Sequence, residues 1–321
     1  MSMPAVLRLG TVLRLGTRKS SLAMAQSGLV ARAITERTGH PVELVGVTTH
    51  GDVSRAQLAQ IGGTGVFVSA LRDRLLDGQI DLAVHSLKDL PTGRPDGITL
   101  AAVPVREDPR DALIAQGGAK LADLPPGATI GTGSPRRAAQ LLLLRKDIRC
   151  VPIRGNADTR LGKVGAGELD AVVLAVAGLS RLGRLESVSQ IFEPDDMLPA
   201  PGQGALAVEC RAADRALAGL LAAVDDPPSR AAVTAERAVL ATLEAGCSAP
   251  VGAYAAGTAD HLQLEAAVIA ADGGRTLRER GGDVPAAAEQ LGRRVADRLL
   301  GSGAATLMTA VPGRTNGQDA Q

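Results

Sequence analysis

The stretch Ile80-Asp81-Leu82-Ala83-Val84-His85-Ser86-Leu87-Lys88-Asp89-Leu90-Pro91 sets a hydroxyl, an ammonium and a carboxylate directly behind a short apolar run. The run follows the turn residues Asp77 and Gly78 and suits a strand buried on both faces of a parallel sheet. In an open α/β sheet, ligands bind at the carboxyl ends of the strands, which is where Ser86, Lys88 and Asp89 are expected to project. Taken alone, the stretch reads more readily as a solvated loop with a surface Lys/Asp pair of little consequence.

Other strand-to-turn junctions repeat the theme of cations at a sheet edge. Thr17-Arg18-Lys19-Ser20-Ser21 opens a helix that Ser20 or Ser21 can cap and Thr38-Gly39 closes, with Leu22, Ala25, Leu29 and Ala33 on its apolar face. Ile130-Gly131-Thr132-Gly133-Ser134-Pro135-Arg136-Arg137 starts another, with serine as the cap and proline at the first helical position. Two arginines in a first turn oppose the helix dipole, so an anion is expected among them, either a ligand or a nearby acid. Asn156 can cap a third helix and aim Arg154 and Arg160 at the same edge, and Ala177-Gly178-Leu179-Ser180-Arg181 adds one more arginine.

These junctions fall into two similar halves. Gly78-Gln79-Ile80-Asp81-Leu82-Ala83-Val84 is echoed by Gly167-Glu168-Leu169-Asp170-Ala171-Val172-Val173, and Leu15-Gly16-Thr17 by Ile130-Gly131-Thr132. The expected fold class is therefore α/β, one βα design used twice with a cleft between the lobes. Pro199-Ala200-Pro201-Gly202-Gln203-Gly204 reads as a hinge into a strand from Ala205 to Glu209. Beyond Asp225-Asp226-Pro227-Pro228, Ser229 is expected to cap a helix reaching about Glu244, with Cys247 just past its end. Alternation through Leu262, Leu264, Ala266 and Val268, a turn at Asp272-Gly273-Gly274 and a helix from about Ala286 to Leu300 indicate a small α+β domain with an antiparallel sheet. Near the start, Val6-Leu7-Arg8-Leu9-Gly10-Thr11 is repeated as Val12-Leu13-Arg14-Leu15-Gly16-Thr17, and the second copy is taken as the first strand. The glycine-rich segment from His50 to Gly65 reads as a loop over the cleft, ahead of a helix at Val66 to Asp77 with Leu71 and Leu75 buried.

Composition excludes several classes of function. The 321 residues are 45% hydrophobic, 21% charged and 1% aromatic, with a formal net charge of +1. So few aromatic rings argue against single-stranded nucleic-acid binding, and so small a charge argues against steering to DNA or an anionic membrane. Cys150, Cys210 and Cys247 are widely spaced and odd in number, which speaks against a disulfide framework or structural zinc. No run reaches membrane-spanning length and the N-terminus lacks a continuous apolar signal core, so a cytoplasmic protein is expected. A cleft bearing Arg18, Lys88, Arg136, Arg137, Arg154, Arg160 and Arg181 suits a ligand with several carboxylates or phosphates, and the phosphate-loop motif G-x-x-x-x-G-K-[ST] is absent. Asp89 stands out as the one carboxylate at the centre of this rim.

Several segments together resemble the porphobilinogen deaminase (hydroxymethylbilane synthase) family. They are Thr17-Arg18-Lys19-Ser20, Val84-His85-Ser86-Leu87-Lys88-Asp89-Leu90-Pro91, Arg106-Glu107-Asp108-Pro109-Arg110-Asp111, Gly131-Thr132-Gly133-Ser134-Pro135-Arg136-Arg137, Arg154-Gly155-Asn156, Pro201-Gly202-Gln203-Gly204-Ala205 and Glu244-Ala245-Gly246-Cys247. They occur in the family's order and span nearly the whole chain. The resemblance implies two lobes like type II periplasmic binding proteins and a third domain. It also implies head-to-tail condensation of four porphobilinogens into hydroxymethylbilane with loss of ammonia. By the same resemblance Asp89 is the catalytic aspartate, and Cys247 carries a covalent dipyrromethane cofactor through a thioether. It further implies that Arg18, Ser20, Gln26, Ser86, Lys88, Thr132, Ser134, Arg136, Arg137, Arg154, Arg160, Arg181 and Gln203 bind cofactor or substrate.

Residue chemistry alone would not select Cys247, because a helix C-terminus does not favour a thiolate. The electrophile made by deaminating porphobilinogen, however, needs only a modest nucleophile. The expected partners are porphobilinogen and the growing polypyrrole, with no nucleic acid, membrane or metal, and the chain is expected to act as a monomer. Expected domains are 12–104 with 203–223, then 105–202, then 227–312, flanked by loose ends at 1–11 and 313–321. The family often has lysine at the positions of Thr64 and Ser69, glutamate at Ala70, proline at Ser21 and serine at Gly133. A solute-binding or sensing protein with the same two lobes is the rival reading, distinguished by its lack of any need for Asp89 and Cys247.

Overall fold

A computed structural model of the chain describes residues 10–47, 65–93, 95–246 and 249–309. The segment expected to loop over the cleft lies almost wholly outside them.

The first lobe begins with β1 (Leu13–Arg18), which confirms the second copy of the repeat as the strand. Helix α1 (Ser21–Thr38) follows, with the Ser20 hydroxyl accepting from Ala23 N and Gly39 closing the helix at φ 72°. Then come β2 (Val42–Val47), α2 (Gly65–Leu76), β3 (Leu82–Ser86), a single 3₁₀ turn at Leu87–Asp89 and β4 (Ile98–Ala102). The chain crosses to the second lobe for β5 (Asp111–Ala115), β6 (Thr129–Gly131), α3 (Pro135–Leu144), β7 (Arg149–Val151), α4 (Ala157–Gly165), β8 (Ala171–Ala175), α5 (Val176–Arg181) and β9 (Gln190–Ile191). It returns for β10 (Leu206–Arg211) and α6 (Arg215–Leu221).

The two five-stranded sheets run β2-β1-β3-β10-β4 and β7-β6-β8-β5-β9, so the duplication read in the sequence is a duplication of strand order. In each sheet one central strand belongs to a crossing segment and runs antiparallel to its neighbour, β10 beside β3 and β5 beside β8. The expectation of a wholly parallel sheet around β3 is therefore corrected. Its burial holds, because both faces of β3 are covered by apolar layers containing Leu82, Val84, Ala83 and Leu71.

Two further expectations change. The buried stripe of α1 is Gln26, Ser27, Val30, Ala31 and Ile34, whereas Leu22 and Ala25 are half-buried and Leu29 is exposed. The helix has apolar residues on two faces because it meets two surfaces: the sheet below and, across the cleft, α5. The third lobe opens with α7 (Pro227–Thr242), whose cap is Asp226 rather than Ser229. Prolines occupy the first helical positions, so the acid before them is left to accept from Ser229 N. Helix α7, α8 (Ala288–Gly301) and α9 (Ala304–Thr309) then pack on the antiparallel sheet β11 (Val251–Gly257), β12 (Leu262–Ile269) and β13 (Thr276–Asp283).

The two crossing segments lie against each other at Gly204. There φ is +88°, and a Cβ would come within 2.3 Å of the Glu107 carbonyl oxygen. Gly204→Ala is expected to destabilise the fold by at least about 1–2 kcal/mol from the backbone conformation alone, before any displacement of the neighbouring crossing segment. A denaturation midpoint equal to the parent's would show that the crossing tolerates a side chain.

Candidate active site

Each lobe aims turn residues at the cleft because the strand ends there. At the end of β3, Ser86 Oγ accepts from Gln26 Nε2 at 2.9 Å, which joins α1 to the turn. Lys88 Nζ donates to Gln203 Oε1 at 3.2 Å, and exposed Asp89 faces the cleft. Across from them, Ser134 caps α3 by accepting from Arg137 N, and Thr132 Oγ1 accepts from Ser134 N. Thr132 is buried and shapes the turn from beneath.

The anion required by the two arginines is supplied from within. Asp111, fully buried at the start of β5, pairs with Arg136 at 2.8 Å and with Arg137 at 2.7 Å. Gln203 Nε2 donates to the same carboxylate at 2.9 Å. Burial pushes the Asp111 carboxyl up, but the two guanidiniums overcome this and hold it well below the usual range. Asp89 is thus not the only carboxylate among these cations. Sequence reasoning gave Asp111 no role, although an acid opening an all-apolar strand was the available signal. Arg136 also donates to Leu198 O at 2.6 Å, and its Nε, although buried, has no hydrogen-bond partner among the described residues.

Two adjoining cavities share Lys88, Arg137 and Arg160. One, about 220 Å³, adds Leu22, Gln26, Ser86, Asn156 and Arg181. The other, about 540 Å³, adds Asp89, Ser134, Arg136, Arg154, Gln203 and Gly246. Arg18 and Ser20 stand at the end of β1 and the cap of α1, and with Thr132 they line neither cavity. Cys247 lies outside the described residues, but its neighbour Gly246 is part of the wall that faces Asp89.

Helix α7 reaches that wall through a defined stop. Glu244 adopts φ 49°, Ala245 N donates to Leu240 O at 3.0 Å and Glu244 N to Ala241 O at 3.2 Å. This paired pattern ends helices with a left-handed residue, usually glycine, and here it turns the chain toward Gly246.

The charges are unbalanced. Burial depresses the pKa of Arg136, Arg160 and Arg181, and Arg137 adds repulsion on the first two. Lys88 is lowered to about 8, first by burial and then by Arg137, with Asp89 and Asp111 opposing. Such a cleft favours a ligand that brings several carboxylates. A two-lobed α/β protein of this kind, with a third lobe presenting a chain segment at one end of the cleft, belongs to the class that encloses a polyanionic ligand between its lobes.

The comparisons narrow the class. Residues 13–219 match the family described as porphobilinogen deaminase, dipyromethane cofactor binding domain, and residues 230–301 match the porphobilinogen deaminase C-terminal domain. The porphobilinogen deaminase of Thermobifida fusca (strain YX) is 61% identical over 303 residues, covering 92% of this chain and 95% of the relative. Porphobilinogen deaminase 1 of Streptomyces coelicolor is 57% identical over 309 residues, covering 92% and 97%. Among solved structures, a periplasmic substrate-binding protein of a Coxiella burnetii ABC transporter covers 70% of this chain and 96% of its own, at TM-score 0.43 and 15% identity. The chain belongs to the porphobilinogen deaminase family, the hydroxymethylbilane synthases, which are transferases of tetrapyrrole biosynthesis. Its first two lobes form that family's dipyrromethane cofactor-binding domain.

The residues present fit such a cofactor. Its acetate and propionate arms are anionic, and the cavity beside Gly246 offers Ser134, Arg154, Arg160 and the partnerless Nε side of Arg136.

Two outcomes follow. Asp111→Asn strands two buried guanidiniums and is expected to cost about 3–5 kcal/mol of stability, read as a lowered denaturation midpoint; an unchanged midpoint would remove Asp111 from its central place. Lys88 is lowered from 10.5 to about 8, so folding stability carried by this group rises as pH climbs from about 8 toward 10.5, while its attraction for anions falls. Porphobilinogen affinity should therefore weaken as pH passes about 8 in the parent, and Lys88→Gln should flatten that step. An identical profile in the variant would refute the assignment.

Proposed function

We propose that the cleft condenses four porphobilinogens head to tail into hydroxymethylbilane, with Asp89 as the catalytic carboxylate and Cys247 as the cofactor attachment. The observation that carries this reading is the shared cavity, in which Asp89, Gly246 beside Cys247 and the arginines Arg136, Arg154 and Arg160 line one wall system. When bound, the dipyrromethane supplies a carbon nucleophile that primes the chain.

The chain's own groups divide the remaining work. Arg154, Arg160 and Arg181, with Lys88 and Ser134, bind acetate and propionate arms through charge-assisted hydrogen bonds. Gln26 and Ser86 hold the side of the cleft between α1 and β3. In this reading Arg18 and Ser20 act at the mouth of the cleft, and Thr132 and Gln203 act through the turns they support. As the C–N bond of porphobilinogen's protonated aminomethyl group breaks, neutral ammonia leaves with the electron pair and positive charge spreads to the pyrrole nitrogen. Asp89 stabilises that charge through the N–H. After the new C–C bond forms, Asp89 assists loss of the proton from the ring carbon.

Cysteine chemistry supports the attachment reading. Burial pushes the Cys150 thiol up to about 11, and that of Cys210 likewise to about 11. Both sit in or against the lobe cores. We further read three domains, 12–104 with 203–223, 105–202 and 227–312, on the strength of sheet membership. We also read a monomeric, cytoplasmic enzyme. Among the described residues no helix is long and apolar enough to cross a membrane.

Cys247→Ala is expected to abolish the covalent adduct in intact-mass spectra, while Cys150→Ala and Cys210→Ala retain it; an adduct surviving on the Cys247 variant overturns the attachment. For Asp89→Asn, single-turnover ammonia release from loaded enzyme should fall about a hundredfold to a thousandfold. Asp89→Glu keeps the charge, displaced by about 1 Å, and should be slow but the better of the two. Near-parental release by loaded Asp89→Asn would make Asp89 a structural acid.

A further inference from the structure

Consecutive residues of α7 leave the helix toward different partners. Glu236 is fully buried and pairs with both terminal nitrogens of Arg106, at 2.6 and 2.9 Å. It also accepts from Gly202 N at 2.7 Å and Ala255 N at 2.8 Å, so both crossing segments and β11 are pinned to α7 at this point. Arg237, half-buried, reaches the first lobe. Its Nη1 donates to Leu90 O at 3.0 Å and Leu87 O at 3.3 Å, and its Nη2 donates to Pro91 O at 2.6 Å.

Those three carbonyls enclose Lys88 and Asp89. Leu87 and Leu90 bracket the 3₁₀ turn, which is closed by the bond from Leu90 N to Leu87 O at 3.1 Å. A helical turn leaves its last carbonyls without partners, and a cation placed there satisfies them. The planar guanidinium does more than an ammonium could. Its fixed donor fork dictates the relative orientation of the carbonyls it joins. Five residues beyond Arg237, α7 ends, and the left-handed stop at Glu244 delivers the chain to Gly246. One continuous helix therefore holds the turn bearing Asp89 at one point and leads to the segment bearing Cys247 at its end.

We propose that Arg237 is a positioning residue for Asp89, setting the place of its carboxylate relative to the attachment segment through the turn at Leu87–Pro91. The inference rests on the reading of Asp89 and Cys247 above. Arg237 does not line the cavity that contains Asp89, so its influence on the reaction passes through the backbone it holds.

The test uses full-length loaded enzyme, with rates expressed per covalently loaded molecule. Arg237→Met keeps an apolar stem and removes every donor. Single-turnover ammonia release is expected to fall about tenfold to a hundredfold, because a misplacement on the order of 1 Å costs that much. Arg237→Lys should recover part of the loss. In a double-mutant cycle, the losses from Arg237→Met and Asp89→Glu should combine to much less than their product, since both displace the same carboxylate. A parental rate in Arg237→Met, or losses that multiply in full with Asp89→Glu, would overturn the proposal. Should Arg237→Met fail to fold, Arg237→Lys carries the same cycle under the same two criteria. Parental activity in Asp89→Asn would instead sink the reading of Asp89, whatever Arg237 does.

Discussion

The carboxylate of Asp111 is the point on which the cleft depends. It opens β5, where the chain first enters the second lobe, and binds the two arginines in the first turn of α3 and the amide of Gln203 on the return crossing. Without an internal anion, Arg136 and Arg137 would repel each other against an unfavourable helix dipole in a buried place. With it, they form a fixed wall. Gln203 also accepts from Lys88 at 3.2 Å, so the hydrogen-bond chain runs from the second lobe through the crossing to the turn that holds Asp89.

The third lobe is tied into this arrangement at several points. Ala139 of α3, Leu198 of the return crossing, and Ala267 and Ile269 of β12 form one small apolar cluster. Close approach reinforces it: a Cβ on Gly252 would lie 2.7 Å from the Leu198 Cβ, and one on Gly273 2.6 Å from Leu143 N. Glu236 then links α7 to both crossings. The third lobe is thus packed against the helix that carries Arg136 and Arg137. It also contacts the crossings between the other two lobes, so local geometry at the cleft is shared by all three.

Local signals made much of this legible in the sequence. Ser20 and Gly39 bound α1, Ser134 and Pro135 start α3 and Asn156 starts α4, because caps are short-range chemistry. The duplicated strand pattern gave the two lobes. Long-range pairing was not legible. Strands β5 and β10 insert antiparallel into their sheets, and nothing in an apolar run records the direction of its neighbour. Asp111 lies 26 residues from Arg137, so its partnership is set only by the fold. Asp226 could have been found, since an acid before two prolines is a cap signal, but Ser229 was the more familiar residue type. On α1 the apolar face at Leu22 and Leu29 was real, yet it faces the cleft mouth and α5 instead of the sheet.

The positions at which the family resemblance predicts other residues lie in both lobes. Ser69 and Ala70, where lysine and glutamate are expected, lie on α2 of the first lobe. Ala70 packs against the cluster containing Leu71 and Leu75, where a charged side chain would be desolvated. Gly133, at the turn before α3, has its Cβ position 3.0 Å from Ile153 O, so the expected serine would press on β7's continuation. The cationic wall of the second lobe, by contrast, is complete in Arg136, Arg137, Arg154, Arg160 and Arg181. Attraction for carboxylate arms is therefore concentrated on the second lobe, while the first contributes Arg18 at the end of β1, Asp89 and the titratable Lys88. On the proposed reading of Asp89, such a division would separate holding from chemistry: arginines that never lose their charge would retain the ligand, and the lobe facing them would carry the group whose charge the reaction uses.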